Sequence, residues 1–506
     1  MLLDAGKNII EADVEVSEAI DFANYYANSM LASGWNDGTV SRACGVVVVT
    51  PPWNFPFAIP AGGVLAALAA GNSVILKPAR ESVLVAWMLV QQLWAAGVPK
   101  NVLQFAPTVD GAAGKRLVSD SRVGAVILTG SIFTAKLFQG WRPELRLYAE
   151  TSGKNSLIIT AAADLDLAVK DLVRGAFGHA GQKCSATSLA LVEKEVYENP
   201  KFIQQLKDAA ESLAVGGSWD ASATLTPVIR KPDEYLERGL TQLESGETWL
   251  VEPKMIDDNP CHWSPGIRMG VEPGGWYHST ECFGPVLGVM CVENFEEAIQ
   301  VQNSSDFGLT GGLHSLDPSE IAQWRDRVEV GNAYINRTTT GAIVRRQPFG
   351  GWKDSCVGPG PKAGGPNYVS TFFDWSEEKL PQLRSQPVAE TRSVLSRLKS
   401  MLGEAHAGRL DAAAESYAYW WAREFSIEHD PSQIHGETNH FRYCARPWHL
   451  LRFSDAWTGD CRIASALIAL ACQTVGTQLQ LSAAQRDHEL VRFAKSVGAK
   501  IVVETN

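Results

Sequence analysis

The stretch from Val46 to Ala70, VVVVTPPWNFPFAIPAGGVLAALAA, decides how the chain is read. Val46–Val49 is a run of β-branched residues, which favour extended backbone, and an unbroken apolar run suits a strand buried on both faces of a parallel sheet. Pro51-Pro-Trp-Asn-Phe-Pro56 ends it, because proline has no amide hydrogen to give a strand ladder. Ile59–Ala70 then carries helical period. Outward from this unit the alternation repeats to about residue 160. Ser73–Leu76, Val102–Phe105 and Val123–Leu128 read as strands, and Ser82–Ala96 and Gly111–Ser119 read as helices. Strand–helix–strand alternation predicts an α/β fold with a doubly wound parallel sheet, whose functional groups sit just past the C-terminal strand ends. Asn54, Lys77 and Ser131 each follow a predicted strand closely.

A second α/β unit is expected next. Ser156–Thr160 reads as a strand, Asp164–Phe177 as a helix with an acidic first turn and Ser188–Val192 as a strand, with Cys184 in the connection before it. Residues 376–435 read as a linker plus surface helices. Residues 436–506 return to strand–helix–strand signals and read as a small α/β appendage. No internal repeat or low-complexity tract is visible.

The bulk properties narrow the function classes. At 506 residues, 45% hydrophobic and 20% charged, the chain is long enough for two or three globular domains. A net charge of -11 argues against nucleic acid as a partner, because phosphate binding needs a basic surface. The nine cysteines are irregularly spaced with no CxxC pair, which fits a reducing, cytoplasmic setting and predicts no zinc site. The His and Cys residues between His429 and Cys461 match no tetrahedral ligand spacing either, so no metal is expected. Residues 1–20 carry five acidic side chains and no long apolar run, unlike a signal peptide. The longest apolar runs, Ile59–Ala70 and Ile463–Cys472, are too short to span a bilayer.

Three local settings carry chemistry. Cys184 lies in His179-Ala-Gly-Gln-Lys-Cys184, Glu150 in Ala149-Glu-Thr-Ser-Gly-Lys154, and Asn54 in the Pro51–Pro56 turn. A thiol can attack a carbonyl carbon as its thiolate, a carboxylate can activate water, and an amide can hold the oxygen that turns negative. Each has an ordinary alternative: a small buried Cys, a solvated acid, a turn-forming Asn. Their conjunction favours covalent carbonyl chemistry. Gly358–Gly364 and Gly111–Arg116 both fail as nucleotide-binding glycine motifs in spacing and context.

These segments resemble the aldehyde dehydrogenase superfamily over about residues 10–375. Further motifs support the likeness: Ile75-Leu-Lys-Pro-Ala79, Leu128-Thr-Gly-Ser131, Thr280-Glu-Cys-Phe-Gly-Pro285 and Gln347-Pro-Phe-Gly-Gly351. The resemblance implies a Rossmann-like cofactor domain over 1–152, with an oligomerisation flap at about 22–43, and a catalytic domain over 153–375. It implies Cys184 as nucleophile, Glu150 as general base and Asn54 as oxyanion donor. It also implies NAD(P) as cofactor, contacted by Trp53, Lys77, Gly130, Ser131, Glu281 and Phe283. Position 80 departs from many NAD-preferring relatives, which carry Glu there. Arg80 suits a phosphate contact, so NADP stays open beside NAD.

The segments Thr339–Gly351 and Lys362–Tyr368 are similar to the glutamate-semialdehyde (pyrroline-5-carboxylate) dehydrogenases, and most similar to that half of bifunctional proline utilization A. This implies a small aldehyde substrate whose carboxylate is held by Ser185, Gly341 and Ala342, with Phe349 in the aldehyde pocket. Small residues let backbone N–H groups approach a carboxylate, and Ser185 adds a hydroxyl donor. The likeness further implies a homo-oligomer and a proline dehydrogenase polypeptide as partner. Met1–Lys7 resembles the interior of a family helix, so an N-terminally truncated chain is expected. Two other readings stay open: a dehydrogenase of another aldehyde, and a non-catalytic remnant or assembly subunit.

Overall fold

The computed structural model describes residues 1–31, 37–108, 111–453, 459–483 and 488–503. Residues 32–36 of the expected flap at 22–43, and the last three of the strand-like terminal run, lie outside the described residues. The chain divides into two compact units, one formed by Met1–Ala32 and Ala43–Phe373, the other by Ser33–Arg42 and Asp374–Asn506.

The larger unit holds two mainly parallel sheets, as the sequence predicts. The first has six strands in the order Cys356–Val357, Leu147–Glu150, Val123–Thr129, Val46–Thr50, Ser73–Leu76, Leu103–Phe105. All neighbours run parallel except the edge strand Cys356–Val357, which is antiparallel to Leu147–Glu150. Chain direction across the sheet reverses between Val46–Thr50 and Val123–Thr129, and a doubly wound sheet opens its ligand crevice at such a reversal. Val47, Val48 and Val49 are fully buried, matching the strand read from the four valines.

The second sheet has seven strands in the order Asn332–Ile335, Thr310–His314, Asn155–Ile159, Thr187–Glu193, Val286–Val292, Gly266–Met269, Thr248–Val251, antiparallel only at the last pair. The helix Leu165–Phe177 covers it, capped by the Asp164 carboxylate, which accepts from Leu167 N at 3.1 Å. The core of this sheet is a continuous cluster that includes Leu157, Ile158, Leu191, Ile267, Leu287 and Trp324.

The N-terminal helix Ile9–Leu31 packs against the helix Ala58–Ala69. That second helix has no side-chain cap from its own start. Instead, Glu15 accepts from the backbone of Phe57 at 2.9 Å and Ala58 at 3.1 Å, and pairs with Lys7 at 2.7 Å, both side chains fully buried. A buried ion pair of this kind holds a carboxylate at the positive end of the helix, four residues past Asn54.

In the smaller unit, Ala389–Leu402 and Glu404–Trp420 share one apolar core with Asp460–Val475, His488–Val497 and a parallel sheet of Trp448–Phe453, Gln478–Ala483 and Lys500–Val503. The helices read from 376–435 thus pack with the segment 436–506 as one body. A two-stranded ribbon pairs Thr39–Ala43 with Phe373–Glu377.

Candidate active site

A cavity of about 520 Å³ opens at the reversal point of the first sheet. Strand ends supply its walls in chain order. Trp53 and Asn54 follow Val46–Thr50, Gly130 and Ser131 follow Val123–Thr129, and Glu150 closes Leu147–Glu150. Cys184 enters from the connection ahead of the second sheet's Thr187–Glu193, and Glu281, Phe283 and Phe349 complete the lining.

The segment before Cys184 is held in an unusual backbone. His179 and Ala180 both have φ of 52°, a region costly for residues with a Cβ, and Gly181 follows at φ 69°. Gly181 is required there, since a Cβ would meet the Gly284 carbonyl oxygen at 2.1 Å. Past the turn, the Asn155 amide donates to the carbonyl oxygens of Cys184 at 2.7 Å and Ala186 at 2.9 Å. This clamp fixes the Cys184 backbone from a fully buried strand. Lys183, next to Cys184, pairs with Glu11 of the N-terminal helix at 2.7 Å.

Asn54 is buried, and its amide donates to the Gln182 carbonyl oxygen at 2.9 Å. A carboxamide has two N–H groups, so this bond orients the amide and leaves the second hydrogen for an oxygen in the cavity. The Cys184 thiol is pushed up to about 12 by burial, with the Glu150 and Glu281 carboxylates adding to the effect. Burial likewise raises Glu150 to about 7, against the opposing pull of Lys362 and the Ala363 backbone N–H. Among the described residues, its Oε1 has no hydrogen-bond partner. A carboxylate near neutrality with an unused oxygen is suited to taking a proton from water.

The cofactor-side residues split. Ser131 caps the helix Ile132–Trp141, accepting from Thr134 N at 3.2 Å, so the helix N-terminus and Gly130 face the cavity. Such a terminus binds phosphate through backbone N–H groups and the helix dipole. Trp53 and Phe283 meet edge to face at 5.7 Å. Glu281 accepts from Gly153 N at 2.8 Å, and burial holds its carboxyl above the usual range. A free helix end suited to phosphate, a carboxylate able to accept from ribose hydroxyls and an aromatic wall are groups that a dinucleotide would fit. Lys77 and Arg80 are not among the lining residues. Lys77 is half-buried past Ser73–Leu76 with its backbone N–H on Val49 O at 2.9 Å, and Arg80 is exposed in the turn Arg80–Ser82.

Of the residues expected to contact substrate, Phe349 lines the main cavity, while Ser185, Gly341 and Ala342 are not among its lining residues. Ser185 is buried, and its carbonyl accepts from Thr339 Oγ1 at 2.8 Å, tying the Cys184–Ser185 segment to the loop that carries Gly341 and Ala342. Gly341 sits at φ 83°, and Arg337 donates to the carbonyls of Thr340 at 3.1 Å and Gly341 at 3.2 Å. Sequence reading missed Asn155, Gln182, Thr339 and Lys362. Asn155 left a trace, as a polar residue ahead of the apolar Leu157–Ile159; Lys362 opens a segment that carries the resemblance, but its contacts are remote in sequence and not legible there.

The aldehyde dehydrogenase family model matches residues 1–377. The chain belongs to the aldehyde dehydrogenase family. Within the family it is 36% identical over 394 residues to the 1-pyrroline-5-carboxylate dehydrogenase of Bacillus pumilus, covering 73% of this chain and 75% of that protein. It is similar to the structure of Proline Utilization A (PutA) from Corynebacterium freiburgense, with TM-score 0.87 and 43% identity over 99% of this chain. The chain spans about half of that one, 52%. A Thermus 1-pyrroline-5-carboxylate dehydrogenase with bound NAD superposes at TM-score 0.68 and 34% identity, over 74% of this chain and 75% of that chain. Among the described residues no helix is long and apolar enough to cross a membrane, and no cluster of three His, Cys, Asp or Glu could hold a metal.

Proposed function

We propose that the chain oxidises L-glutamate γ-semialdehyde, the open form of pyrroline-5-carboxylate, to glutamate in proline catabolism. The observation that carries this reading is the convergence of Cys184, Glu150 and Asn54 on one cavity, with the Ser185–Thr339 bond bringing the Gly341–Ala342 loop against the nucleophile segment. The names of the relatives at 35–37% identity support the substrate.

In this reading the Cys184 thiol gives up its proton to Glu150, which passes it to solvent; the sulfur bonds to the aldehyde carbon, and the carbonyl oxygen becomes an oxyanion held by the second Asn54 N–H. One such donor contributes about 3 kcal/mol to lowering the barrier. NAD(P), when bound, would supply the hydride acceptor for oxidation of the adduct to a thioester. Ser131 with its helix end, Glu281 and the Trp53–Phe283 wall would hold that cofactor, and Lys77 and Arg80, outside the cavity lining, are assigned to its adenosine end by the family resemblance alone. Glu150 then takes a proton from water, whose oxygen attacks the thioester carbon. The C–S bond breaks and glutamate leaves. Ser185 and the backbone N–H groups of Gly341 and Ala342 hold the substrate carboxylate, and Phe349 packs on its chain.

The same reading makes the chain a cytoplasmic homo-oligomer that works beside a proline dehydrogenase polypeptide. Exposed Val40 and Trp375 on the two-stranded ribbon support an oligomer contact. NAD is the expected cofactor, and the charge of Arg80 makes NADP the comparison to run. The test follows absorbance at the reduced nicotinamide band with NAD and NADP, pyrroline-5-carboxylate and propanal, for wild type and Cys184→Ala. A Cys184-dependent signal with pyrroline-5-carboxylate is expected. Reaction of propanal alone would remove the substrate assignment, and silence from folded protein would remove the catalytic one.

A further inference from the structure

The general base has a neighbour that the mechanism above does not use. Glu150 lines a second, small cavity of about 20 Å³ behind the main one, with Thr129, Tyr148, Gly350, Gly351 and Tyr368. That volume admits one water molecule. Lys362 is not itself in the lining, but its neighbour Pro361 is, and the backbone N–H of Ala363 on its other side hydrogen-bonds Glu150. The Lys362 stem passes over Gly350 so closely that a Cβ there would meet Lys362 Cγ at 3.2 Å. Its ammonium donates to the Gly331 carbonyl and to Asn332 Oδ1, and the same Asn332 oxygen accepts from Gly350 N at 3.3 Å. The close approach needs glycine at 331 too, where a Cβ would strike the Gly350 carbonyl oxygen at 1.8 Å. The fold thus fixes the ammonium on Gly331 and Asn332, with its stem over Gly350, a wall residue of the small cavity that Glu150 also lines.

We propose that Lys362 is the positioning residue of Glu150, a pinned ammonium that keeps the base a carboxylate inside an apolar wall and orients it for water. The proposal rests on the reading of Glu150 as general base. The other groups facing Glu150 work the opposite way or are neutral: Glu18 and Tyr26 from the N-terminal helix, Tyr368 and the Cys184 thiol. Lys362 is the cation in this set, and its pull on Glu150 opposes that of burial.

The test uses hydrolysis of p-nitrophenyl acetate by the full chain without cofactor. Cys184 forms a C–S bond as p-nitrophenolate leaves. Water deprotonated at Glu150 then cleaves that bond, releasing acetate and returning the thiol. The burst reads acylation and the steady phase reads deacylation. In Lys362→Met the acid limb of the steady phase is expected to move up by about one pH unit, slowing deacylation about fivefold at pH 7 with the burst preserved. Lys362→Arg, which keeps the charge, should return the limb to its wild-type position. If the Met variant does not fold, Lys362→Gln removes the charge while retaining hydrogen bonds. An unmoved limb in a folded, uncharged variant overturns the proposal. Glu150→Gln separates the two ideas: if deacylation survives in it, the general-base reading falls, whereas loss there with no effect at Lys362 removes the positioning role alone.

Discussion

Glu150→Gln offers a test of the site's electrostatics that needs neither substrate nor cofactor. Burial raises this carboxyl from its ordinary 4.5 to about 7 in the folded chain. A raised acid favours the folded state fully below its unfolded value, and that contribution is lost as pH climbs through the folded value. Gln does not titrate, so the variant gains on wild type over that window. The gap between 4.5 and about 7 corresponds to about 3 kcal/mol once both states are ionised. Integrated by pH, the relative gain is about 1 kcal/mol at pH 5 and about 3 kcal/mol at pH 8.5. Any fixed effect of exchanging hydroxyl for amide cancels in the difference, which leaves about 2 kcal/mol between the two pH values. Urea unfolding of wild type and variant, followed by tryptophan fluorescence at both pH values, reads it directly. A variant whose advantage is the same at pH 5 and 8.5 would refute the buried-carboxyl argument.

Other substitutions probe separate parts of the site. Asn54→Ala should lower kcat by roughly 10²–10³ with little change in cofactor affinity, measured by steady-state kinetics and cofactor titration. Gly341→Val should strain a backbone at φ 83° and raise KM for the carboxylated aldehyde while sparing propanal, compared side by side. Gly181→Ala should cost several kcal/mol in chemical denaturation, because its Cβ would meet the Gly284 carbonyl oxygen at 2.1 Å. Lys7→Met strands the Glu15 carboxylate in a dry interior, and a loss of about 3–5 kcal/mol is expected from the same assay.

What the sequence yields and what it withholds divide by the range of the interaction. The valine run, the proline stop and the small-residue helix after it are local signals, and both parallel sheets follow from repeating them. Cys184, Glu150, Asn54, Ser131 and Glu281 carry motifs, and the fold brings them to one cavity. The second tier is silent in one dimension. Asn155 clamps the Cys184 backbone from 29 positions away, and Lys362, whose charge acts on Glu150, lies more than two hundred positions from it. The cap that Glu15 provides to Phe57 and Ala58 replaces a local capping residue, so the usual helix-start pattern does not reveal it. The division at 373–374 also follows from packing: helices at 389–420 resemble a charged linker in composition, and their buried stripe of Val394, Leu398 and Leu410 joins the tail's core.

The antiparallel edge strand Cys356–Val357 sets a timetable for synthesis. Five strands of the first sheet are made by residue 150, yet the strand that covers the exposed side of Leu147–Glu150 arrives some two hundred residues later. Gly364, whose N–H donates to Tyr26 at 2.9 Å, and Phe372, whose carbonyl accepts from Asn72 at 3.0 Å, come later still. Until then a nascent chain presents an open β-edge along Leu147–Glu150, the kind of surface that recruits neighbouring chains.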